Sequence, residues 1–177
     1  MKEDDPFGFA IYPDLSIFKT RYEIVDLSTD KIVFEVNKYG SFKSIFIMND
    51  SLGKEILTAK KVSVWSGIYR MFKQDLRYAT LDYSTSCCSS QTEIEVGTKR
   101  YMGARLKGSS FEFVNNYGNV AFYFQRNIRL INSDYIVEVY DTIEPEIAIM
   151  SSIIIDTIIR ANQGAAVATT TTTAAVM

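Results

Sequence analysis

Two hydrophobic periods divide this chain. Between Arg21 and Val139, apolar residues recur at alternate positions in short runs separated by turn residues, the pattern of half-buried β-strands. Beyond Pro145 the pattern changes. Ile147-Ala-Ile-Met-Ser-Ser-Ile-Ile-Ile-Asp-Thr-Ile-Ile159 puts apolar side chains on every side of a helical wheel. A helix apolar all round has to be enclosed, by protein or by lipid.

The strand region can be followed run by run. Arg21–Val25 leads into Asp26-Leu-Ser-Thr-Asp30, a turn rich in Asx and Ser/Thr residues. Ile32, Phe34 and Val36 alternate with Lys31 and Glu35, Tyr39-Gly40 turns the chain, and an apolar-rich run from Phe42 to Met48 ends at Asn49-Asp-Ser-Leu-Gly53. Glu55–Val62 and Val64–Phe72 read as the next pair, with Gly67 marking a bulge beside Trp65, which is expected to pack inside. Leu76, Tyr78 and Thr80 continue the alternation, and Ser84–Thr92 reads as the longest polar loop. Glu93–Val96 follows, and then Tyr101–Lys107, where Met102, Ala104 and Leu106 share a face. Next are Phe111 and Phe113, the Asn115–Gly118 turn, the Val120/Phe122/Phe124 alternation, and Tyr135/Val137/Val139. About ten to twelve short strands at this spacing predict a mostly β domain, a closed barrel or a sandwich.

Residues 1–18 read as an irregular arm, because Pro6 and Pro13 interrupt regular elements. The domain proper is expected over 19–163, with its helix near 145–161. Pro145 suits a first helical turn, Glu144 and Glu146 complement the positive end, and Arg160 falls in the last turn. The apolar body from Ile147 to Ile159 is about 20 Å long, whereas a bilayer core needs about 30 Å, and Asp156 adds about 2.5–3.5 kcal/mol to insertion. The helix is therefore read as a core element with the strands wound around it. The alternative is a C-terminal membrane anchor that recruits Ala161–Met177. Residues 164–177, with five consecutive threonines among alanines, are expected to be disordered.

Charge and composition narrow the chemistry. The net charge is −2, which predicts no nucleic-acid binding. Its distribution is uneven: residues 54–107 hold ten Lys/Arg against five acids, so this stretch is +5 and the remainder −7. A basic middle suits an anionic partner. Histidine is absent, which removes the commonest general base, the imidazole metal ligand, and the Ser-His and Cys-His nucleophile systems. Cys87 and Cys88, adjacent in a polar loop, neither frame a disulfide scaffold nor complete a zinc site. No metal, cofactor or catalytic residue is expected, and the paired free cysteines fit a reducing, cytoplasmic setting.

Several segments together carry a family resemblance. They are Tyr22-Glu-Ile-Val-Asp26, Val33-Phe-Glu-Val36, the run Asn49–Thr58, Trp65 with Ile68–Phe72, Phe111-Glu-Phe113, Gly118–Phe122, and Asp134–Val139 leading into the apolar helix with Asp156. Over residues 20–162 the chain resembles the LURP-one-related family, which is similar in fold to tubby C-terminal domains and to phospholipid scramblases. The resemblance implies a tubby-like antiparallel barrel of twelve strands threaded by a hydrophobic helix. It also implies a non-enzymatic module that binds anionic phospholipid headgroups (phosphoinositides) or a protein partner, associated peripherally with a membrane. A scramblase-like protein anchored by its C-terminal helix is the alternative, although Asn132–Glu146 lacks the acidic, calcium-associated segment of that group. By the same resemblance the headgroup site falls on Lys60 and Lys61, with Arg70 and Lys73 on the paired strand. Lys99, Arg100, Arg105 and Lys107 form a second basic set, and Asp156 reads as structural.

Overall fold

The computed structural model describes residues 6–15, 20–41, 43–85, 90–106, 110–128, 133–140 and 143–173. Twelve strands follow in order: β1 (Phe7–Leu15), β2 (Thr20–Asp26), β3 (Lys31–Tyr39), β4 (Ile45–Asp50), β5 (Glu55–Lys61) and β6 (Ile68–Lys73), then β7 (Leu76–Thr85), β8 (Ser90–Val96), β9 (Lys99–Arg105), β10 (Ser110–Asn115), β11 (Val120–Ile128) and β12 (Ser133–Val139). Each pairs antiparallel with its neighbours in sequence, and β1 closes the ring on β12. An even strand number lets this up-and-down meander close antiparallel and leaves no exposed sheet edge. Among the described residues one helix, α1 (Pro145–Thr173), follows the strands.

The twelve-strand closed antiparallel barrel expected from the sequence is what forms, and the helix lies inside it. All ten residues from Ile147 to Asp156 are at most 1% exposed. Ten consecutive buried residues span nearly three helical turns, so the helix is covered on all sides. Barrel diameter grows with strand number. Eight strands leave a lumen that side chains fill, so twelve leave room for a rod about 10–12 Å wide. Phe46, Met48, Leu57, Met71, Leu81 and Ile94 line one part of the inner wall. A row of aromatics lines another. Phe113 and Phe122 are cross-strand partners stacked at 4.3 Å, and Phe124 stacks on Tyr135 at 5.7 Å. Gly103 on β9 makes space for this row, since a Cβ there would stand 2.5 Å from the Phe113 ring.

Four expectations are corrected. Residues 7–15 are not part of an irregular arm but form β1. Pro13 is tolerated because the β1–β12 ladder runs only from Phe7 to Ile11, so its missing N–H falls beyond that ladder while β1 still pairs with β2. The predicted polar loop 84–92 is shorter, as β7 continues to Thr85 and β8 begins at Ser90. On β7 the inward face is Ala79, Leu81 and Tyr83, leaving Leu76 74% exposed. The helical backbone continues to Thr173, through most of the stretch expected to be disordered. Once the buried segment supplies a nucleus, an Ala-rich extension needs only propagation. Among the described residues no helix is long and apolar enough to cross a membrane. The cysteine pair and Lys107 lie outside the described residues.

Because Ile149 is fully enclosed, Ile149→Ala should cost about 2–5 kcal/mol of unfolding free energy, read from denaturant midpoints in the absence of lipid or detergent. A loss below about 1 kcal/mol would mean that the helix is not packed as described.

Candidate functional site

The meander gives the barrel two distinct ends. At one end lie the β2–β3, β4–β5, β6–β7, β8–β9 and β10–β11 hairpins and the start of α1. The β3–β4 and β5–β6 connections lie at the other end, where α1 leaves the barrel beyond Asp156. Polar clamps hold the helix at both. At its start the Glu144 carboxylate accepts hydrogen bonds from the Lys73 ammonium and the Tyr78 hydroxyl. At its exit the Asp156 carboxylate accepts from the Tyr135 hydroxyl on β12 and from Arg160 Nε at 2.6 Å, with Arg126 Nη1 of β11 at 3.7 Å. Thr157 meets the Tyr22 hydroxyl of β2 at 3.3 Å.

The clamps perturb their own groups. Burial, then the Asp156 charge, raises the Tyr135 hydroxyl far above its usual range. Tyr78, hydrogen-bonded to Glu144, is pushed up to about 12. Burial alone would raise the Glu144 carboxyl, but hydrogen bonds from Lys73 and Tyr78 outweigh it and hold the group below its usual carboxylate range. These groups join the helix to the wall, the structural role expected for Asp156.

The four residues predicted for the headgroup site divide between the ends and faces. Lys60 and Arg70 are brought together as directly opposed partners on the exposed outer face of β5 and β6, with Lys60 Nζ 5.3 Å from the Phe72 ring centre. Side chains so opposed have Cβ atoms about 4.5–5.5 Å apart. Lys61 follows the alternation to the other face at the rim, opposite the buried Tyr69, and its ammonium donates to the Val64 carbonyl at 3.1 Å. Lys73 stands at the opposite end, ion-paired with Glu144. In the second basic set, Arg100 is neutralised by Glu95 at 3.0 Å and Glu93 at 3.6 Å, while Lys99 lines an open cleft of about 710 Å³ beside Tyr78, Tyr101 and Glu144.

Above the Lys60–Arg70 pair stands a feature the sequence reading placed wrongly. Residues 62–67 are the β5–β6 loop, not the start of a strand, and Trp65 at its tip is 96% exposed. The loop is braced throughout. Val62 N–H donates to the Ile68 carbonyl at 2.9 Å, Ser63 N–H donates to Ser66 Oγ at 3.2 Å, and Tyr83 N–H donates to the Gly67 carbonyl at 3.1 Å. Gly67 is no bulge: it presses so closely on β7 that a Cβ would meet the Tyr83 carbonyl oxygen at 1.9 Å. The sequence signal for the loop was the Ser-Val-Trp-Ser-Gly run, with turn-forming residues on both sides of the tryptophan. Beyond Arg70 a shallow groove of about 240 Å³ continues past Arg77 and Thr80 to Asp82, Glu93 and Glu95.

The clamp at the helix start predicts a pH dependence. A carboxyl depressed in the folded state stabilises the fold above its unfolded value and gives up that stability as pH falls. Glu144→Gln should therefore flatten the loss of stability below pH 4.5, measured by denaturant midpoints across the acid range; an unaltered slope would count against the clamp. Comparisons of this chain with family models, curated proteins and solved structures return no match, so its site is read from its own chemistry.

Proposed function

We propose that this protein is a non-enzymatic barrel module that binds anionic phospholipid headgroups, phosphoinositides foremost, at a membrane surface on the cytoplasmic side. The observation that carries the reading is the Lys60–Arg70 pair. Like charges directly opposed across two strands destabilise a sheet. Among the described residues neither has a carboxylate within ion-pair range, and, unlike other exposed cations without one, such as Lys31, Lys54 and Lys99, the two face each other directly. A phosphate group bridging the two cations relieves that repulsion, with Lys60 as a point charge and Arg70 as a two-pronged donor.

The resemblance to the LURP-one-related family supports the same reading, since a tubby-like barrel with phosphoinositide-binding basic residues is what it implies. The enclosed helix favours peripheral association over a scramblase-like protein anchored by that helix, because its apolar body already faces protein. With the lumen occupied by α1, a ligand meets this chain on its outer wall or rims.

Opposite effects on two observables test the proposal. A cation near an anionic surface contributes about 1 kcal/mol, so Lys60→Ala/Arg70→Ala should weaken sedimentation with phosphoinositide vesicles by about thirtyfold. The same double variant should be unchanged in stability or gain about 0.2–1 kcal/mol, because a repulsive pair is gone. Undiminished vesicle binding would refute the site. A large loss of stability would show that the pair is structural.

A further inference from the structure

We infer that the β5–β6 loop is a membrane wedge, with Trp65 and Val64 entering the interfacial layer of an anionic bilayer while Lys60, Lys61 and Arg70 meet its headgroups. The inference rests on the headgroup reading above and deepens it, because a wedge requires a bilayer surface and not a soluble phosphate.

Three observations converge on the loop. Trp65 is the chain's single tryptophan, and it is almost wholly in water. A scattered exposed leucine needs no explanation, but a tryptophan so presented is a large apolar body with one donor, the side chain that gathers at membrane–water interfaces. The loop is also preorganised. The Val62–Ile68, Ser63–Ser66 and Gly67–Tyr83 hydrogen bonds fix it, and Lys61 holds the Val64 carbonyl, so little conformational freedom is lost on docking.

The third observation is charge. Lys61 N–H donates to the Ser44 carbonyl at 3.1 Å, which ties the β3–β4 turn with its exposed Lys43 beside the loop. Lys43, Lys60, Lys61 and Arg70 thus lie on the strands and turn that carry or adjoin the Trp65 loop, and long cationic side chains can lie along an interface while their heads reach phosphate. The opposite mouth also exposes apolar tips, Leu52, Leu76 and Tyr117, but there Lys31, Lys54 and Lys99 are mixed with Asp30, Asp50 and Asp75. An anionic surface therefore favours the Trp65 end, where its four cations outnumber Asp82, opposite Ile68 at the base of the loop, and the exposed Asp14 of β1. Because α1 leaves the barrel at this same end, the approach is oblique, with the β5–β6 side leading.

The lone tryptophan is its own reporter. Full-length protein is titrated with phosphatidylcholine vesicles, with and without phosphatidylserine and phosphatidylinositol bisphosphate, and separately with soluble inositol hexakisphosphate. The expected result is a blue shift of Trp65 emission and quenching by nitroxide-labelled acyl chains on anionic vesicles alone. Soluble inositol phosphate should compete for the cations without shifting emission. Trp65→Ala should weaken vesicle binding by about tenfold or more with an unaltered unfolding midpoint, and Trp65→Phe should restore part of it. Vesicle binding that depends on Lys60 and Arg70 but leaves emission unshifted and Trp65→Ala unaffected would overturn the wedge and leave the headgroup reading standing. Absence of any binding to anionic vesicles would overturn both. Emission already blue-shifted in the free protein, or shifting with protein concentration alone, would show that Trp65 packs against this chain or a second copy and would also overturn the wedge.

Discussion

Mutual burial of the apolar helix and the inner face of the barrel is the constraint on which the rest of this structure depends. Neither part is stable alone. A segment as apolar as Ile147–Ile155 cannot stand in water, and a ring of twelve strands without a filling would hold a wide apolar channel. Together they form one core, to which Phe113, Phe122 and Phe124 of β10 and β11, and Met48, Leu57 and Met71 of β4, β5 and β6, belong with the helix. Glu144 and Asp156 then fix the helix along its axis. Each is a carboxylate at one end of the apolar body, bound by a tyrosine and a cation. The Asp156–Arg160 pair, with its carboxylate buried, specifies a position more than it adds stability, because desolvation offsets much of the attraction.

With the lumen filled by the helix, the proposed contact surface lies on the outside of the barrel. Several charges on the barrel are matched: Lys73 with Glu144, Arg160 with Asp156, and Arg100 with Glu93 and Glu95. The β5–β6 hairpin differs from these. It carries two opposed cations on its outer face and lifts an unburied tryptophan on a loop braced by hydrogen bonds and by the contact of Gly67 with β7. Rigid support beneath an energetically costly surface is what the proposed contact region calls for, since the fold itself gains nothing from either feature.

Much of the architecture was legible in the sequence because it follows from periodicity. Alternation marked most of the strands, and the all-round apolar run bounded by Pro145 marked a helix that needed enclosure. What the pattern could not give was the direction of each face. Leu76, Tyr78 and Thr80 alternate in the sequence, yet it is Ala79, Leu81 and Tyr83 that are buried. Pro13 looked like a breaker because the extent of a ladder is a tertiary fact. The basic site was legible only in part. Lys60, Lys61, Arg70 and Lys73 are close in sequence, but alternation and strand length separate Lys61 and Lys73 from the pair that meets. Trp65 was misread because a large aromatic beside a glycine suggests packing until the loop's outward path is known.

Native-state hydrogen exchange of the backbone amides from Ile147 to Asp156, in water without lipid or detergent, tests the enclosure most directly. These amides should exchange only through global unfolding, as slowly as inward strand residues such as Met71 and Leu81. Exchange by local opening well below the global free energy, or protection that arises only when micelles are added, would contradict the enclosed helix and the outward-facing site built upon it.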